Sequence, residues 1–248
     1  CREICRISYE RQKRVVKSMV FEKRELLENV FTEHSELQLW KCMRGGEEDY
    51  EIIINGVFIM ATYNSGSSEF LIRGAVDRMR GDGPLSVLIA GLGMGFTVSE
   101  ACRCERIESI DVIEMEEVIV DWNRRYFDTY EQSCYDEGRA SLHIEDFYVY
   151  AMNSTESFDI VSIDIDNGPM LLVNEGNEKV YTKRFMGVVE GVLNDGGLCV
   201  IWSCDRDRRL EQSMESVFDE VEVEELTEDF KGRDVSYYLY FGRKREHK

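Results

Sequence analysis

Val87-Leu-Ile-Ala-Gly91-Leu-Gly93-Met-Gly95-Phe96 is the stretch that decides the fold. The apolar residues 87–90 read as a short buried strand, the Gly-x-Gly-x-Gly loop follows, and residues 96–104 continue in helical spacing. Glycine lets a backbone turn sharply and approach a ligand closely. The helix start beyond it offers N–H groups that have no partner within the helix. A glycine loop alone is as often a plain tight turn. A strand before it and a helix after it make Gly91, Leu92, Gly93, Met94 and Gly95 candidate ligand contacts.

Strand and helix signals alternate outward from this point. Apolar runs at 110–113, 160–163 and 198–202 each follow a helical or turn segment, which implies βαβ units and a mostly parallel sheet. Residues 237–241 read as a late strand suited to an antiparallel edge. Glu114 ends the second run, 23 residues after Gly91, where a carboxylate can accept hydrogen bonds from both hydroxyls of a ribose. These two features fit a dinucleotide or an adenosine-type ligand equally. Further acids at strand ends separate the two. In Leu142-His-Ile-Glu-Asp146-Phe147, Asp146 can accept from an adenine amino group and Phe147 can cover the ring. Asp164 and Asp166 end the 160–163 run and share a face if the strand persists. A Gly196-Gly197 turn precedes the next strand. A dinucleotide enzyme needs neither Asp146, Asp164 nor the late glycine pair. Acid-rich strand ends in this order are typical of class I S-adenosylmethionine (AdoMet) dependent transferases.

Toward the N terminus the period changes. Residues 7–35 carry a stripe (Val15, Val16, Met19, Val20, Leu26, Leu27, Val30, Phe31) that predicts a helix. Residues 36–63 alternate and contain Asn55-Gly56, a strong hairpin signal, so they form a small antiparallel unit. Residues 67–80 read as a helix with Ser67 and Ser68 as cap candidates, and Gly81–Pro84 marks a boundary. The expected division is an N-terminal helical extension (1–35), a small β-hairpin domain with a linking helix (36–80), and a Rossmann-like AdoMet-binding domain (81–248).

The 248 residues carry 30 Lys and Arg against 49 Asp and Glu, a net charge of −19. Such a surface opposes a polyanionic partner, so no nucleic acid is expected. Asp164-Ile-Asp166-Asn167-Gly168-Pro169 also lacks the (D/N)PP(Y/F) signature of base amino methylation. No apolar stretch approaches membrane-spanning length, and the N-terminal residues are too charged for a signal peptide. The eight cysteines contain no CxxC pair and Cys102-x-Cys104 has no partner pair, so no metal is expected. Reduced thiols in a cytoplasmic protein are the simplest expectation.

The motifs GLGMGFT (91–97), WNR (122–124), DIDNGP (164–169), Asn177 with Tyr181, and DGGLCVIWS (195–203) together make the chain resemble the spermidine synthase-like family, over about residues 36 to 241. The resemblance implies a class I methyltransferase fold, an adenosine-sulfonium cofactor (AdoMet or its decarboxylated form), a small-molecule substrate and a homodimer. By position it implies that the loop 91–95 holds the amino-acid part of the cofactor. Glu114 would bind ribose, Asp146 and Phe147 adenine, and Asp164 would help deprotonate an attacking amine. Asp166 and Asn167 complete the catalytic candidates. Tyr181, Trp202 and Ser203 are proposed pocket walls, and Glu69 a cation contact, although an acid in a first helical turn is also ordinary. The sequence departs from authentic aminopropyltransferases at four places. Met94 stands where the glycine loop carries an acid, and Ile72-Arg73-Gly74 where a tyrosine-x-glutamate motif is expected. Asn167 replaces the second loop acid, and Phe58 or Ile59 replaces a glutamine after the hairpin. Because Met94 removes the charge that would prefer the decarboxylated cofactor, methyl transfer to a small, amine-containing substrate is the leading expectation. Polyamine aminopropyl transfer is the alternative, and a non-catalytic AdoMet-binding protein the third.

Overall fold

The structure, a computed structural model, describes residues 23–229 and 234–246. Its first four strands, β1 (Lys23–Phe31), β2 (Glu36–Arg44), β3 (Glu47–Ile54) and β4 (Val57–Ala61), form an antiparallel sheet in that order. Leu37, Leu39 and Ile52 are fully buried, as the alternation requires. Asn55 (φ 51°) and Gly56 (φ 74°) take the left-handed conformations of a tight hairpin turn.

The expected helix over 7–35 is corrected where it can be seen, since residues 23–31 are a strand; its residues 7–22 lie outside the described chain. The pairing of β1 with β2 slips between Leu26 and Glu28. A bulge of this kind breaks the two-residue alternation and sets apolar neighbours side by side, which imitates helical spacing. Glu28 then ties β1 down, accepting from Trp122 Nε1 at 2.9 Å and Tyr126 Oη at 2.7 Å, with Arg125 paired at 2.7 Å.

Beyond α1 (Gly66–Arg78) the chain alternates as expected. The strands are β5 (Leu85–Ala90), β6 (Ile107–Glu114), β7 (Ala140–Ile144), β8 (Phe158–Ile163), β9 (Leu193–Ser203), β10 (Glu220–Asp229) and β11 (Asp234–Arg243). They lie in the order β10-β11-β9-β8-β5-β6-β7. The five from β5 to β9 are mutually parallel, and β11 is antiparallel to both β9 and β10. The order of the parallel strands reverses at β5, so a crevice opens beyond its C-terminal end. β9 begins five residues before the expected run, because its pairing with β8 absorbs Gly196 and Gly197 in an irregularity instead of a free turn.

The connecting helices are α2 (Phe96–Arg103), α3 (Glu117–Tyr126), α4 (Gln132–Asp136), α5 (Phe147–Asn153), α6 (Lys183–Gly191) and α7 (Arg208–Glu215), with a 3₁₀ turn at Glu175–Tyr181. Strand alternation splits the core into two layers. Val87, Ile89, Ile110 and Val112 face α1, α2, α3 and the N-terminal sheet. Leu88, Ala90, Ile113 and Val161 face α5, α6 and α7. Burying each Val, Leu or Ile fully contributes about 1.5–3 kcal/mol, so the two layers fix the sheet and with it the strand tips.

A second correction concerns the thiols. Cys102, near the end of α2, is joined to Cys134 in α4, a pairing that 32 residues of separation conceal in the sequence. Cys199 is buried in the core, as its apolar surroundings predict. None of the described helices is long and apolar enough to cross a membrane.

Candidate active site

A cavity of about 380 Å³ lies beyond the C-terminal ends of the parallel strands and is roofed by β3 and β4 through Ile52, Ile54, Phe58 and Met60. Gly91, Leu92 and Gly93 form part of its floor. Gly91 has φ +95°, and a Cβ there would stand 2.1 Å from the Asp164 carbonyl oxygen. Only glycine lets the loop after β5 close against the loop after β8. A Cβ on Gly93 would meet Met60 Sδ at 2.5 Å, so the N-terminal sheet presses equally closely. Asn123, buried in α3, donates to the Gly93 carbonyl at 2.7 Å and holds the loop from below. Thr129 Oγ1 donates to the Met94 carbonyl.

Carboxylates occupy the strand tips in succession. Glu114 ends β6 and Glu116 follows it, Glu145 and Asp146 follow β7, Asp164 and Asp166 follow β8, Asp205 follows β9, and Asp234 opens β11. No Lys or Arg lines the cavity among the described residues. Glu114 accepts from Leu92 N–H at 3.0 Å and Glu116 N–H at 2.9 Å. Burial raises its pKa, and those two donors pull it back. Asp146 caps α5 through Tyr148 N–H at 2.7 Å and pairs with Lys179 Nζ at 3.0 Å. Phe147 lines the cavity, supported by an edge-on Phe185 at 5.6 Å.

Burial pushes the Asp164 carboxyl up to about 7; a hydrogen bond from the Ser68 side chain opposes this and the neighbouring Asp166 adds to it. Asp166 also rises to about 7 through burial, against the Val173 N–H at 2.7 Å and the Asn177 and Tyr181 side chains. Asn167 is buried and donates to the Phe58 carbonyl at 2.8 Å, joining the acidic loop to β4. Trp202 forms a wall, its ring tilted against that of Tyr237 at 5.2 Å, and the Tyr237 hydroxyl accepts from Asn64 at 2.5 Å. Two carboxyls that ionise near neutrality, in a chamber without described cationic side chains, are suited to holding an ammonium group and taking a proton from it.

The structure gathers Gly91, Leu92, Gly93, Glu114, Asp146, Phe147, Asp164, Asp166, Asn167 and Trp202 around this one cavity. The other five candidates lie outside its lining. The Met94 side chain is fully buried in the core and its N–H meets Met60 Sδ at 3.0 Å. Gly95 is the N-cap of α2. Glu69 turns along α1 to Arg73 at 3.0 Å and accepts from Ser65, so it is an ordinary first-turn acid. Tyr181 is buried outside the lining, and the nearby Asp166 and Asp164 charges add to burial in raising its pKa. Ser203 is buried and donates to the Asp205 carbonyl at 2.7 Å. Ser67 and Ser68 belong to the first turn of α1, and neither is its N-cap.

Asp205, Asn64, Tyr237 and the pair Asn174–Asn177 line the cavity and were not singled out as pocket residues, although Asn177 appears in the quoted motifs. Asp205 was findable, because it extends the rule of acids at successive strand tips to β9.

The residues present suit an adenosine-sulfonium compound. The glycine loop leaves backbone-close space, the apolar roof faces carboxylates, and the buried Trp202 Nε1 has no hydrogen-bond partner. Among the described residues no group of three or more His, Cys, Asp or Glu could hold a metal ion.

Comparison with known proteins agrees in fold. A spermidine synthase bound to the transition-state analogue AdoDATO superposes with a TM-score of 0.74 at 16% identity, covering 90% of this chain and 74% of that one. Spermidine synthase from Thermotoga maritima gives 0.73 at 14% identity, with the same coverages. Among curated proteins, the polyamine aminopropyltransferase of Sulfurisphaera tokodaii is 27% identical over 113 residues, 46% of this chain and 37% of the relative. That of Pyrobaculum aerophilum is 28% identical over 120 residues, 47% of this chain and 40% of the relative. The alignment thus spans well under half the length of these relatives. The expectation of methyl transfer is corrected by these findings, because the similar proteins are named as aminopropyltransferases and spermidine synthases. The side chain on which that expectation rested, Met94, does not reach the cavity at all. The pattern of the spermine/spermidine synthase domain matches residues 74–223, more than half of the sequence, and the chain belongs to that family.

Proposed function

We propose that this protein is a polyamine aminopropyltransferase, moving a 3-aminopropyl group from decarboxylated AdoMet to a primary amine of a small di- or polyamine. The observation that carries the reading is the cavity of strand-tip carboxylates with no Lys or Arg among its described lining residues. Both proposed substrates are cations without a carboxylate. AdoMet itself carries a carboxylate, which such a chamber repels. Most N–H groups of the glycine loop are already engaged, Gly91 with the Ile113 carbonyl, Leu92 with Glu114, Met94 with Met60 Sδ and Gly95 with the Leu92 carbonyl, which leaves few donors for a carboxylate. Family membership and the named relatives support the same reading.

In this reading Glu114 holds the ribose, and Asp146 with Phe147 holds the adenine. Trp202 and Tyr237 flank the alkyl chain of the acceptor, and Asp166 braces the 173–181 segment over it. Asp164, ionised, orients the acceptor amine toward the donor methylene and takes its proton. The amine nitrogen bonds to that methylene, the carbon–sulfur bond breaks with its electron pair going to sulfur, and methylthioadenosine leaves. Alignment of the two cations lowers the entropic part of the barrier. Proton removal is worth about 10²–10⁴ in rate. The reading includes a cytoplasmic location and a homodimer, with no nucleic-acid or membrane partner; light scattering of the purified protein tests the dimer.

The deciding experiment incubates the protein with each donor and a panel of diamines and polyamines, and identifies the nucleoside product by mass spectrometry. Methylthioadenosine, formed only with decarboxylated AdoMet, is the expected result. S-adenosylhomocysteine, or no product with any amine, overturns the reading.

A further inference from the structure

We propose that Lys179 is a positioning residue for the purine end of the site: it holds the Asp146 carboxylate in the orientation that tells a 6-aminopurine from a purine without that amino group. The inference rests on the proposed placement of adenine against Asp146, and not on which group is transferred. Lys179 lies outside the cavity lining, with Nζ 3.0 Å from Asp146 Oδ2. The same Nζ stands 4.3 Å from the centre of the Tyr148 ring, and that ring stacks on Phe185 at 4.8 Å. A cation over an aromatic face is attracted by the negative charge of that face. The ammonium group is thus seated on a ring and a carboxylate two positions apart in the chain. Its backbone is fixed as well, since the Lys179 carbonyl accepts from Thr182 Oγ1 at 2.7 Å where α6 begins.

Asp146 is thereby held at both oxygens. Oδ1 accepts from Tyr148 N–H at 2.7 Å and Oδ2 from Lys179 Nζ, while the residue lines the cavity beside Phe147. Each carboxylate oxygen carries two lone pairs, so one on each remains for a ligand. A purine with an amino group at position 6 can donate to one of them, and a purine with hydrogen there cannot. The difference counts most when the carboxylate is already fixed, because little ordering is then left for the ligand to impose. Without Lys179 the Asp146 carboxyl would be free to turn about its Tyr148 contact, and Oδ2 would bind water that the ligand must displace. With side chains 39% and 34% exposed, the pair contributes little to folding, so its effect is read in recognition and not in stability.

The test is calorimetry of the full chain with methylthioadenosine and with the same nucleoside bearing hydrogen in place of the 6-amino group. Both are uncharged, so long-range attraction to the acidic chamber does not enter. The unaltered protein is expected to prefer methylthioadenosine about ten-fold. Lys179→Met, similar in length and uncharged, should cut that preference about five-fold by weakening the amino-bearing nucleoside alone, with the melting temperature within about three degrees. Lys179→Arg, which keeps a cation beside Tyr148, should restore most of the preference. In an Asp146→Ala background Lys179→Met should change it no further. An unchanged preference in Lys179→Met, or equal weakening of both nucleosides, overturns the proposal. Equal binding of the two by the unaltered protein, or binding of neither, removes adenine from Asp146 and overturns it as well. Should Lys179→Met not fold, Lys179→Gln takes its place under the same criteria. The expected pattern in a protein that forms no methylthioadenosine from decarboxylated AdoMet would retire the aminopropyl-transfer reading and leave the role of Lys179 standing.

Discussion

At the scale of single residues, the role proposed for Asp164 comes at a cost in stability. Its carboxyl is raised from the usual carboxylate range to about 7 by burial. A group raised in this way favours folding while protonated in both states, and that contribution disappears as pH climbs through the folded value. Asp164→Asn should therefore raise the melting temperature by a few degrees at pH 8, by clearly less at pH 5, and little only below the ordinary aspartate value near pH 3.8, measured by differential scanning fluorimetry. The same substitution should lower kcat about 10²–10⁴-fold, read as methylthioadenosine formed. Gly91→Ala places a side chain at φ +95° against the Asp164 carbonyl. The backbone conformation alone costs about 1–3 kcal/mol, and chemical denaturation should show at least that loss. Residues at strand tips were legible because the tip itself fixes where they stand. Met94 and Glu69 lie outside the cavity lining, Met94 in a packed core that local pattern does not reveal and Glu69 beside Arg73 on its own helix.

Among the elements, the segment between α3 and β7 supports the ligand loop from outside. Cys102–Cys134 ties α4 to α2, Ser99 Oγ donates to Glu131 at 2.9 Å, and Thr129 reaches the Met94 carbonyl. Replacing both cysteines by alanine should cost about 2–4 kcal/mol by the loop-closure argument. Donor affinity, measured by calorimetry, should fall in the same variant. The N-terminal sheet contributes through two asparagines, Asn55 to the Val173 carbonyl at 3.1 Å and Asn167 to the Phe58 carbonyl at 2.8 Å. The hairpin at Asn55-Gly56 was plain in the sequence because its turn chemistry is local. β1 was not, since a bulged edge strand and a helix put apolar residues at overlapping positions, and only its pairing with β2 separates them.

For the whole molecule, the alternation of strands and helices prescribed a parallel sheet with an antiparallel edge, and the strand order confirms it. Right-handed crossovers and short connections leave few other ways to close such a chain. The roof was the part that sequence pattern did not supply. Ile52, Ile54, Phe58 and Met60 read as half-buried strand residues, and nothing in their spacing says which side of the larger sheet they cover.

The chamber without described basic side chains has a consequence for what happens after transfer. In the proposed aminopropyl transfer sulfur enters as a cation and departs as an uncharged thioether, so the nucleoside would lose its electrostatic hold at the moment the bond breaks. The lengthened amine gains a nitrogen and is gripped harder by the same acids. Nucleoside should thus dissociate first and the polyamine last, with the elongated product competing against fresh acceptor. Added potassium chloride should relieve that competition, because screening weakens the attraction of the more highly charged product more than that of the acceptor, which carries one charge fewer.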